Sequence, residues 1–103
     1  MTDTPGELLL VAIVEMAPGH GEAGRRYEDA VLALLERHGG TLDRRMRDTG
    51  SDNEVHVIRF RARAGLESFM VDPDRLELRA RLGDAAPSTR VIEVRDVAPQ
   101  PLP

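Results

Sequence analysis

The chain has 103 residues, 41% hydrophobic and 31% charged, with a net charge of −4. It contains no Cys and no Trp, and all 14 of its basic side chains are arginine. Disulfides, thiol nucleophiles, Cys-based zinc sites, Schiff-base lysines and the Walker lysine are thereby excluded.

The acidic balance argues against nucleic acid, and only Tyr27, Phe60 and Phe69 could stack on bases. The longest apolar run, Leu8 to Val14, is far short of the ~20 residues of a membrane span. The opening "MTDTPGE" lacks the basic region of a signal peptide, so a cytoplasmic protein with no membrane partner is expected. The length suits one domain, expected over 1–97, followed by a Pro-rich tail over 98–103.

Residues 8–16, "LLLVAIVEM", are apolar at both alternating positions until Glu15, as in a strand covered on both sides. From His20 the spacing of Tyr27, Ala30, Val31, Leu34 and Leu35 predicts an amphipathic helix that Gly39-Gly40 stops. "TLDRRMRD" (41–48) reads as an Arg-rich edge strand alternating Leu42 and Met46 with polar residues. The turn-rich "TGSDN" then leads into a third strand, "EVHVIRFRA". There Val55 and Val57 share a face with Arg59 and Arg61, while His56, Ile58 and Phe60 occupy the other.

A second helix follows, burying Leu66, Phe69 and Met70. Asp72 and Pro73 read as a fresh N-cap and first turn, so the helix restarts at a new angle, with Leu76, Leu78 and Leu82 on its apolar side. The last strand is expected over 89–97, alternating Ile92 and Val94 with Arg90, Glu93 and Arg95.

The order strand–helix–strand–strand–helix–strand is a ferredoxin-like βαββαβ arrangement. It is an α+β fold with a four-stranded antiparallel sheet and two helices on one face. The first strand then leaves an apolar sheet face with no helix over it, larger than a soluble monomer ordinarily exposes. A second copy packed against that face would cover it, so a homodimer is expected.

The runs "IRFRARAGLESFMVDPD" and "STRVIEVRDV", with "LLERHGGTL" before them, resemble the dimeric α+β barrel superfamily, in particular its small stand-alone members of unassigned function. Phe60, Leu66, Glu67, Phe69, Asp72 and Pro73 carry the resemblance, which extends over about residues 8 to 97. It implies a dimeric barrel. The superfamily's activities range from cofactor-free monooxygenases through muconolactone-isomerase-like and haem enzymes to regulatory ligand-binding domains, so it implies no single reaction. The cofactor-free monooxygenases often use a Trp and an Asn near the substrate. This chain has no Trp, and its single Asn, Asn53, falls in a predicted turn.

His56 is the first candidate for acid–base work, on the face turned to the helices, and Tyr27 on the first helix is the second: facing each other, the pair could handle a proton or orient a phenolic substrate. The plain alternative is a half-exposed histidine at a strand's start with no particular partner. Arg59 and Arg61 share a face, and with Glu93 they could form a carboxylate-binding pocket or a salt-bridge network at the dimer seam. His20, His38 and His56 show no metal-ligand spacing, and His38 suits a helix C-terminus. Asp72 and Asp74 read as capping residues. Gly19, Gly21 and Gly24 match a dinucleotide spacing, but the chain has no room for the doubly wound sheet that motif needs. No metal and no cofactor are therefore expected.

Three readings follow: a homodimer that binds a small organic molecule, a cofactor-independent monooxygenase or isomerase of the same fold acting on a small cyclic or aromatic compound, or a non-catalytic structural dimer.

Overall fold

The computed structural model describes residues 6–99. Strand β1 (Leu8–Glu15) is followed by helix α1 (Gly21–Leu32), strands β2 (Gly40–Arg47) and β3 (Glu54–Phe60), helices α2 (Arg63–Met70) and α3 (Pro73–Leu82), and strand β4 (Ser88–Val94). The strands form one antiparallel sheet in the order β2-β3-β1-β4. This is the expected ferredoxin-like fold, with the second helix in two pieces. Of the expected tail over 98–103, residues 100–103 lie outside the described residues.

The alternation in β1 is as strict as its sequence suggested. Leu8, Leu10, Ala12 and Val14 are buried, while Leu9, Val11 and Ile13 on the other face are only half-buried. In β3, Ile58 and Phe60 join the buried face, and Phe60 is 1% exposed. Tyr27 and Val31 of α1 and Phe69 of α2 close over that core. Burying a side chain such as Phe60 stabilises the fold by about 1.5–3 kcal/mol.

Several boundaries differ from the sequence reading. The first helix ends at Leu32, and Leu35–His38 form a 3-10 turn that Gly39 closes at φ 71°. The tighter turn still buries Leu35 beneath β2 and β3. In β2 the pairing shifts register between Leu42 and Arg44. This bulge puts Leu42 against the core and Met46 on the opposite face, whereas simple alternation had placed them together. Met70 and Leu76, expected to be buried, are 45% and 47% exposed, and β4 ends at Val94. Helix α3 has no buried residue and rests on the core through half-buried Leu78 and Leu82.

The break at Asp72-Pro73 forms as the sequence indicates. The Asp72 carboxylate accepts from the Asp74 backbone N–H at 2.9 Å, with Pro73 in the first turn of α3. It also receives the His38 Nε2 at 2.6 Å, and His38 Nδ1 lies 2.7 Å from the Ser68 hydroxyl. One imidazole thus ties the 3-10 turn to the α2–α3 junction. Gly65 makes the close approach possible, because a Cβ there would collide with the His38 carbonyl.

Ser68, His38 and Asp72 have the connectivity of a catalytic triad, but Ser68 lies inside an α-helix, where neighbouring backbone N–H groups are spent on the helix ladder. Its hydroxyl also donates to the Gly65 carbonyl at 3.1 Å. The cluster is a clamp. Asp72→Ala removes the cap and strands His38, and is expected to lower Tm by about 5–10 °C in a thermal melt. An unchanged Tm would show that the clamp carries no stability.

Candidate functional site

Between the helix-covered face of the sheet and the three helices lies a cavity of about 220 Å³. Its floor includes Leu10 and Ala12 of β1 with His56 and Ile58 of β3, and its roof includes Tyr27, Glu28 and Phe69. Half-exposed Met70 and Val91, with Arg79, stand at its mouth. The lining is chiefly apolar, and the volume is below the ~300–1,000 Å³ of drug-sized sites. A space of that size has room for one ring or two fused rings.

His56 is buried, with 1% exposure. The half-exposed, unpartnered histidine considered above is thus not what forms. Its Nε2 lies 2.7 Å from Oε1 of Glu54, two residues earlier on the same strand face. Glu54 is equally buried, and two of the three guanidinium groups of the neighbouring strand converge on it. Arg45 donates through Nε at 2.8 Å and a terminal nitrogen at 3.1 Å, and Arg47 through the same groups at 3.2 and 2.7 Å. Arg45 also reaches Asp29 of α1 at 2.6 Å. The β2 bulge makes this possible by bringing Arg45 and Arg47 onto the helix side, opposite His56 and Glu54.

Burial alone would raise the Glu54 carboxyl. The hydrogen bonds from Arg45, His56 and Arg47 overcome it and hold the group at about 2. Glu54 is therefore ionised and holds the His56 ring through Nε2. The Nδ1 of His56 takes no side-chain hydrogen bond among the described residues. A carboxylate that orients an imidazole and leaves its second nitrogen free is the arrangement of a positioned base.

Glu28 is the other polar group of the roof. It is 5% exposed, and neither of its oxygens is hydrogen-bonded among the described residues; Oε2 is buried without a partner. Burial first, and then the Glu54 carboxylate, push its carboxyl up to about 7, with Arg45, Arg75 and Arg79 opposing. Arg75 lies across the Phe69 ring at 5.4 Å and donates to the Met70 carbonyl at 3.1 Å.

The two carboxyls act on stability in opposite senses. The stability Glu54 contributes is complete above its ordinary pKa of 4.5 and is lost as pH falls toward 2. Glu28 binds its proton more tightly in the folded state, so its contribution is complete below 4.5 and declines as pH rises through 7. Glu28→Gln is expected to abolish that alkaline decline. The Tm of the variant minus that of the wild type should grow from about pH 5 to about pH 8. A constant difference would mean Glu28 is ionised throughout.

Of the residues singled out from the sequence, His56 and Tyr27 line the same cavity. Arg59, Arg61 and Glu93 do not come together. Glu93 pairs in register with Leu10, which places it on the helix side of the sheet, and it binds Arg63 at 2.9 and 3.0 Å. Arg59 pairs with Leu9 on the opposite face and is held by Glu7 and, at 3.1 Å, by Asp43 of its own chain. Arg61 lies past the end of β3, its backbone N–H donating to the Gly39 carbonyl. The shared pocket suggested by these three residues does not form, because β4 enters the sheet one residue out of phase with the alternation read from its sequence. Asn53 braces the turn, accepting from the Met16 backbone N–H at 2.9 Å.

The sequence reading passed over Glu28, Glu54 and Arg75. Glu28 sits within the buried stripe Gly24, Tyr27, Val31, and Glu54 falls on the alternation with His56, Ile58 and Phe60. A charge inside an apolar period was the available signal for both. Arg75 had none.

A four-stranded antiparallel sheet with all its helices on one face and a cavity between the layers defines the ferredoxin-like α+β class. Its solved members similar to this chain include PA3566 from Pseudomonas aeruginosa, with a TM-score of 0.73 and 22% identity over 94% of this chain and 100% of that one. An antibiotic biosynthesis monooxygenase candidate from Nitrosomonas europaea matches with a TM-score of 0.73 and 10% identity over 98% and 100% of the two chains. SnoaB, a cofactor-independent oxygenase from Streptomyces nogalater, matches with a TM-score of 0.69 and 14% identity over 92% and 99%. At these identities the likeness establishes the fold. No family model matches the chain, and no curated protein does. No helix among the described residues is long and apolar enough to cross a membrane.

Proposed function

We propose that the chain is a homodimer that binds a small cyclic organic molecule in the cavity of each protomer and moves a proton on it, with His56 as the base and Tyr27 packing against the ligand. The observation that carries this reading is the buried His56, tied through Nε2 to an ionised Glu54 and lining the cavity. A purely structural protein gains little from an ionised carboxylate and its imidazole held beside an apolar space, since burying charge carries a desolvation cost. The likeness to SnoaB supports an oxygenase over a passive binder, although the Trp and Asn expected of the cofactor-free oxygenases have no counterpart in this cavity.

The dimer rests on the opposite face of the sheet. Leu9, Val11 and Ile13 form its central stripe, flanked by Val55 and Val57 on β3 and by Ile92 and Val94 on β4. That surface has no helix over it.

The test begins with thermal shifts on small phenols and cyclic ketones, where a ligand at a hundred times its Kd adds about 2.7 kcal/mol. Turnover of the best ligand is then measured in His56→Gln. A positioned base contributes about 10²- to 10⁴-fold, so the variant should lose at least a hundredfold in kcat while sedimenting as the wild type does. Full activity in His56→Gln would remove it as the base. A panel without any thermal shift would favour the structural dimer.

A further inference from the structure

Glu28 is a carboxyl placed in an apolar roof with nothing among the described residues to satisfy it. Buried polar groups are ordinarily hydrogen-bonded, and an exception calls for an explanation. Arg75 does not supply one. Its Nε is itself buried and without a partner, and its donated bond goes to the Met70 carbonyl. Arg79 donates to the Pro87 carbonyl at 3.0 Å. Arg45, the remaining cation near Glu28, is committed to Glu54 and Asp29. An ion pair that would explain Glu28 as structure is therefore absent among the described residues, although three guanidinium groups stand close to it.

Two groups of opposite character thus line one small cavity: the imidazole of His56, whose Nδ1 has no side-chain hydrogen bond among the described residues, and the carboxyl of Glu28, which as the neutral acid is a donor. We propose that they act as a pair on an enolisable cyclic ketone, His56 taking the proton from the carbon next to the carbonyl and Glu28 donating a hydrogen bond to the carbonyl oxygen. This assignment rests on the functional reading above and names the substrate class for the same cavity.

The step balances without an oxidant or reductant. The C–H electron pair becomes the C=C bond of the enolate, the carbonyl π pair moves to oxygen, and the proton passes to Nδ1. Once the imidazolium has traded that proton with solvent, delivery of a solvent proton to the same carbon gives exchange, and delivery of a proton to a conjugated position gives an isomer. Glu28 meets the charge where it develops, in a site with little water, which is where a hydrogen-bond donor is most effective. The ionised Glu54 stabilises the imidazolium that forms on His56.

The separation of the two carboxyls supports the pairing. Glu54 is held ionised by its two arginines, while burial keeps Glu28 protonated up to about 7. Environments that drive two titratable groups apart are how one site presents an acid and a base at the same pH.

The probe is 2-tetralone, with deuterium uptake at its α-carbons followed by NMR in heavy water. Its hydroxyl analogue without a carbonyl, 2-naphthol, serves as a thermal-shift ligand. The wild type should accelerate exchange over buffer. Glu28→Met, which removes the donor, should lower the exchange rate by about 10²- to 10³-fold, far more than it weakens the thermal shift with 2-naphthol. Glu28→Gln keeps a donor that does not titrate. It should retain much of the rate and lose the decline that the wild type shows above about pH 7.

Glu28→Met at the wild-type rate, with His56→Gln inactive, would overturn the role of Glu28 and leave the base in place. A wild type that is stabilised by 2-naphthol but exchanges 2-tetralone no faster than buffer would overturn the ketone assignment while the binding site stands. Should Glu28→Met not fold, an unchanged alkaline decline in Glu28→Gln overturns the proposal alone.

Discussion

Glu54→Ala is expected to lower the free energy of unfolding by about 3–5 kcal/mol, because it leaves a buried imidazole, the half-buried Arg45 and the more exposed Arg47 without their common acceptor. For a domain of this size that is a Tm loss of at least about 12 °C, and a large part of a total stability of about 5–15 kcal/mol. The cost has a specific origin. Arg45 and Arg47 reach the helix side of the sheet only because β2 bulges at Asp43, and their charges are tolerated there through Glu54. A chemical denaturation curve should show the loss in its midpoint. The variant should also lose the acid-side fall in stability that Glu54 imposes between pH 4.5 and 2. A variant within about 1 kcal/mol of the wild type would mean that the arginines find water instead, and that Glu54 is not the anchor of His56.

Val11→Glu is expected to convert the dimer to a monomer. Val11 sits at the centre of the outer sheet face, in register with Val57 on one side and Ile92 on the other. In a two-fold interface the substitution appears twice, so two carboxylates would be brought into an apolar seam. Juxtaposed like charges cost several kcal/mol, or at least a hundredfold in Kd. Sedimentation at micromolar concentration should show the wild type at twice the chain mass and the variant at one. Fold and cavity should survive in the variant, because the substituted side chain points away from the core and thermal-shift ligands enter from the other layer. A wild type that sediments as a monomer would overturn the dimer outright, and the apolar face would then need another cover.

The two substitutions test separable parts of one design. In the proposed reading, one face of the sheet holds a chemical site and the other meets a second copy. The strictly alternating pattern of β1 serves both, which is why it contains no polar residue until Glu15.

Much of this was legible in the chain itself. Local signals carry helix caps, turns and periodicity, and these located all four strands and the restart at Asp72-Pro73, while the first helix ends at Leu32, well before the Gly39-Gly40 stop. The same alternation set His56 on the helix side and left an apolar face behind β1. What the sequence could not convey depends on phase and on partners distant along the chain. A bulge at Asp43 reverses which side chains of β2 face the helices, and no local propensity announces it. The phase of β4 against β1 decides that Glu93 and Arg59 lie on opposite faces, and only the pairing register contains that information.

Glu54, reached from 7 and 9 residues away by Arg47 and Arg45, became an anchor through contacts that cross a turn. Glu28 became a buried acid because α1 lies over β3 and brings it near Glu54. By itself the sequence determined the elements, their order and the two-faced sheet, since these follow from backbone preference and hydrophobic period. The tertiary structure alone decided which charges meet, because a charge takes its role from neighbours that the linear order keeps apart.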